Sequence, residues 1–129
     1  TDSTLKGQTV FLAERCGELM HDNIITDRTI LDVMAFTLNA KSIPHQDKDA
    51  FETYASEFIR EYDYIFYISP HGLKIEDNGV RETDEHYRDL IDFTITTLIK
   101  RHGHKAGKIE KISGSTEERI QQILNITSL

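Results

Sequence analysis

Three clusters of charged and small polar residues follow short apolar runs in this chain, and each has the makings of a ligand-binding turn. The first is Asp27-Arg28, inside Asn23–Asp32 (Asn-Ile-Ile-Thr-Asp-Arg-Thr-Ile-Leu-Asp). A carboxylate there can hold a magnesium-bound water or accept a proton from an attacking hydroxyl. An adjacent arginine can fork onto a phosphate. A plainer role competes, in which Asp27 caps the next helix and Arg28 pairs with a surface acid. The second cluster is Glu76-Asp77-Asn78-Gly79-Val80-Arg81, with Arg88 following in the next segment. Gly79 permits a sharp turn, and arginines on a closing lid neutralise a phosphoryl group in transfer. A solvated loop and helix face would have the same composition. The third is Ser113-Gly114-Ser115, whose backbone could approach a base or a phosphate; a helix cap explains Ser115 equally well.

Other chemistries find less support. The six histidines are scattered, and only His102-Gly103-His104 forms a close pair, at a helix C-terminus where the dipole favours positive charge. No Cys/His spacing matches a structural zinc site. There is no Gly-x-Ser-x-Gly, and Cys16, the single cysteine, falls in a helical pattern as a packing residue. One cysteine allows no internal disulfide and fits a reducing, cytoplasmic compartment. The net charge of -7 is spread along the chain, which argues against bulk binding to nucleic acid. No apolar run is long enough for a membrane span, and no signal peptide is visible.

The elements that must position these clusters follow from periodicity. About Leu5 to His21 reads as a helix with Leu12, Ala13, Cys16, Leu19 and Met20 on one face. Ile24-Ile25 is the centre of a short buried strand. Thr29–Leu38 is a helix with Ile30, Val33, Met34 and Thr37 inward, capped by Asp27 or by Thr29 with Asp32 three residues on. Asp47–Glu61 is helical, with Phe51, Tyr54, Ala55, Phe58 and Ile59 facing in. Tyr64–Ser69 is apolar throughout, as a central parallel strand covered on both faces should be. Thr83–His102 is the longest helix, with Tyr87, Leu90, Ile91, Ile95, Leu98 and Ile99 inward. Lys108–Ile112 is a strand. Ser115 and Glu118 make a capping box for a last amphipathic helix carrying Ile120, Ile123 and Leu124. Strands alternating with helices predict an α/β fold, a three-layer parallel sheet flanked by helices, in one domain of 129 residues. Three strands make a thin sheet.

The apolar run with Asp27-Arg28-x-x-x-Asp32, then Tyr62-Asp63-Tyr64-Ile65-Phe66-Tyr67-Ile68-Ser69-Pro70, then Glu76–Arg81, then Gly114-Ser115-x-Glu117-Glu118-Arg119-Ile120 resembles the C-terminal two-thirds of the P-loop kinases related to ribosylnicotinamide kinase. These belong to a wider group of AAA-type ATPase/kinase-like domains, several of them phage-encoded. The chain is also distantly similar to thymidylate kinases, which share an Asp-Arg pair at the same strand end. The resemblance spans about Gln8 to Leu124, and the Asp77-x-Gly79-x-Arg81 loop is its most specific part. It implies a P-loop NTPase-type fold acting with ATP and Mg2+. Asp27 would sit near the acceptor hydroxyl or in the magnesium shell. Arg28 and Asp32 would face the acceptor, a small nucleoside or nucleotide. Arg81 and Arg88 would be catalytic arginines near the donor phosphates, Asp77 and Gly79 would shape a lid over about residues 73–88, and Gly114 and Ser115 would lie beside the nucleotide base.

One part of the pattern is absent. Such kinases carry Gly-x-x-x-x-Gly-Lys-[Ser/Thr] after their first strand, and the only Gly-Lys here, Gly107-Lys108, opens a late strand. The missing loop, the thin sheet and an initial Thr1 in place of Met lead to the expectation that the first strand, phosphate loop and first helix lie upstream. The expected function is transfer of the ATP γ-phosphate to a small acceptor once that part is present. The alternatives are a catalytically silent nucleotide- or protein-binding regulator, a homo-oligomer included, and an ATP- or GTP-hydrolysing switch.

Overall fold

The structure is a computed structural model and describes residues 3–70 and 85–128. Helix α1 (Leu5–Glu18) is followed by α2 (Ile30–Leu38), α3 (His45–Ser56), strand β1 (Tyr64–Ile68), α4 (Glu85–His102), β2 (Lys108–Ile112) and α5 (Thr116–Thr127). Short 3-10 turns extend α3 (Glu57–Glu61) and α4 (Gly103–Lys105).

Helix α2 is the hub. Its sequence Ile-Leu-Asp-Val-Met-Ala-Phe-Thr-Leu is apolar almost all round, and a helix of that kind is stable only when surrounded. It packs against α1, α3 and α4, and Ile30, Leu31, Val33, Met34 and Ala35 are buried. Leu12, Phe51, Ala55, Ile59, Tyr62, Ile65, Ile91 and Leu98 complete the core around it. Each large aliphatic side chain removed from water there contributes about 1.5–3 kcal/mol.

β1 and β2 pair in parallel, in register from Tyr64↔Lys108 to Ile68↔Ile112, with α4 as the crossover. The entry to β2 is tight. Gly107 donates its N–H to the Tyr62 carbonyl at 3.0 Å, and a Cβ on Gly107 would stand 2.4 Å from the Asp63 carbonyl oxygen.

Several expectations need correction. No strand forms at Ile24-Ile25: the segment is irregular, Asn23 is left-handed (φ 56°), and Ile25 is 97% exposed. Two isoleucines carry little register information, and a strand needs a neighbour to satisfy its backbone. Among the described residues the sheet therefore has two strands rather than three. β1 is not covered on both faces along its length: Ile65 is buried, but Tyr64 and Ile68 are exposed. The Asp47–Glu61 helix begins earlier, at His45, and tightens into a 3-10 turn after Ser56. Tyr54 points outward and packs edge-on against Phe58, with ring centroids 5.3 Å apart. On α4, Ile91 and Leu98 are buried as expected, whereas Tyr87 and Leu90 are exposed. The amphipathic stripe of α5 is largely uncovered, and no residue of that helix is buried.

Candidate functional site

Helix α2 begins immediately after Asp27-Arg28. Thr29 is its N-cap: its hydroxyl accepts from the Leu31 N–H at 3.0 Å, while the Thr29 N–H donates to Asp32 Oδ2 at 2.8 Å. The cap is thus Thr29, not Asp27, and Asp32 is engaged in holding the helix start. The Ile30 N–H donates to the hydroxyl oxygen of buried Tyr62 at 3.2 Å. With its first donors taken by Thr29 and Tyr62, this helix end offers a ligand little backbone. Asp27 and Arg28 are both exposed beside it, so any binding there runs through their side chains. Burial pushes the Tyr62 phenol up to about 12, and Tyr62 stays neutral throughout the physiological range.

The parallel pairing sets the carboxyl ends of β1 and β2 side by side. This is the edge at which open α/β sheets bind ligands. At the end of β1 the Tyr67 hydroxyl donates to Asp92 Oδ1 on α4, and Ser69 also hydrogen-bonds Tyr67. Burial, together with the Asp92 carboxylate, pushes the Tyr67 phenol up to about 12. Arg88 lies one turn before Asp92 on the same face of α4. Its Nη2 is 3.8 Å from Asp89 Oδ1, and its buried Nε has no hydrogen-bond partner among the described residues.

At the end of β2 the chain turns through Gly114 in the left-handed region (φ 98°). Ser115 caps α5 reciprocally with Glu118: the Ser115 N–H donates to Glu118 Oε1 at 3.0 Å and the Ser115 Oγ accepts from the Glu118 N–H at 3.1 Å. Those bonds hold the Glu118 carboxyl below its ordinary range. Gln122 clasps the Ser113 backbone through both its N–H and its carbonyl.

The structure therefore sets Gly114 and Ser115 at the carboxyl end of β2, leaves Arg88 in the first turns of α4, and commits Asp32 and Ser115 to capping. Asp77, Gly79, Arg81 and the greater part of the expected lid lie outside the described residues. Among the described residues no group of three His, Cys, Asp or Glu side chains is arranged to hold a metal ion. No described helix is long and apolar enough to cross a membrane.

Sequence reading missed two features. Glu52 on α3 accepts from Arg101 Nη1 at 2.8 and 2.7 Å, one bond to each carboxylate oxygen, and lies 2.7 Å from His102 Nε2. Burial pushes the Glu52 carboxyl up, but the bonds and charges of Arg101 and His102 outweigh it and hold the carboxyl below its usual range. Beside this clasp Lys105 Nζ donates to buried Ser56 Oγ at 3.0 Å. The only signal in the sequence is the run of basic residues at the end of α4. The second missed feature is Arg119 in the first turns of α5: its Nη2 donates to Thr116 Oγ1 at 3.0 Å, and its buried Nε, like that of Arg88, has no partner among the described residues. Comparison with protein-family models, curated proteins and solved structures finds no match to this chain.

Proposed function

We propose that the chain is part of a P-loop kinase-like, nucleotide-binding domain that transfers the ATP γ-phosphate to a small nucleoside or nucleotide in the cytoplasm. The observation that supports this reading is the parallel β1–α4–β2 unit, with Arg88 in the first turns of α4 and the Gly114–Ser115 turn following β2. Phosphoryl transfer asks a protein for positioning and charge neutralisation, and arginine supplies both. Asp27, exposed and released from capping by Thr29, is available to receive a proton from the acceptor hydroxyl or to hold a water of the Mg2+ shell. Arg28 would take the acceptor side. Arg81 and the lid complete the reading from sequence alone.

The 129 residues contain no Gly-x-x-x-x-Gly-Lys-[Ser/Thr], so the reading requires that loop from upstream sequence. Its absence from these residues favours one second reading, a catalytically silent nucleotide- or protein-binding regulator. The two separate in a transfer assay with γ-labelled ATP, Mg2+ and a panel of nucleosides and nucleotides, run on the chain and on any longer natural form that carries the loop. Label appearing in one acceptor supports the kinase. Stabilisation by nucleotide without label transfer in either form supports the silent module.

A further inference from the structure

We draw no further inference here: the strongest candidate, the exposed apolar patch that Tyr64 and Ile68 make on strand β1, carries nothing because nothing in the structure shows what covers it.

Discussion

The hydroxyl oxygen of Tyr62 accepts the backbone N–H of Ile30 at 3.2 Å, so a side chain from the segment entering β1 closes the start of the central helix. The two residues are 32 positions apart, and their bond links the element that forms the core to the strand that faces the proposed site. Tyr62→Phe keeps the ring and removes the acceptor, leaving a buried N–H unmet. The expected cost is about 1–3 kcal/mol in equilibrium denaturation. An unchanged midpoint would mean that water or Thr29 takes over the donor.

Gly107 allows β2 to start where it does. A methyl group there meets the Asp63 carbonyl, part of the backbone, which cannot swing aside as a side chain can. Gly107→Ala should therefore destabilise by about 1–3 kcal/mol, as overpacking does. Chemical denaturation of the two proteins side by side checks this, and equal stability would show that the strand entry is looser than it looks.

Acid should loosen the junction of α3 and α4. The Glu52 carboxyl is depressed by Arg101 and His102, so its folded-state pKa lies below the unfolded one, near 4.3 for an ordinary glutamate. The stability it contributes is present above the unfolded value and is lost as pH falls through the folded one. Glu52→Gln should flatten the stability profile over that acid range. A profile that keeps its slope in the variant would assign the acid sensitivity to other carboxylates.

Asp27 separates chemistry from folding cleanly, because it caps nothing in this structure. Asp27→Asn should change stability by no more than about 0.5 kcal/mol, as exposed substitutions do. In the form of the protein that carries out transfer, the same change should abolish label transfer. Transfer at the original rate would remove Asp27 from the site.

What the sequence disclosed was what is local. Both capping boxes, Thr29 with Asp32 and Ser115 with Glu118, were legible because three residues suffice to define them. The limits of β2 were legible because Gly107 and Ser113-Gly114 bracket its apolar positions. The strand expected at Ile24-Ile25 failed because strands depend on a neighbour that no local pattern names. Glu52 with His102, and Tyr67 with Asp92, come from distant stretches, and only packing reveals them. Arg119 passed unnoticed for another reason: an arginine after a capping box is ordinary until its Nε is found buried without an acceptor.

The most direct test of the account is a backbone amide map of a longer form of the chain, one that carries the phosphate loop, titrated with Mg2+-ATP. The account predicts that the largest shifts fall at the carboxyl ends of the two strands, at Ser69, Ser113, Gly114 and Ser115, with Asp27 and Arg28 joining when an acceptor nucleoside is added. Shifts confined to other surfaces, or none at saturating nucleotide, would contradict it.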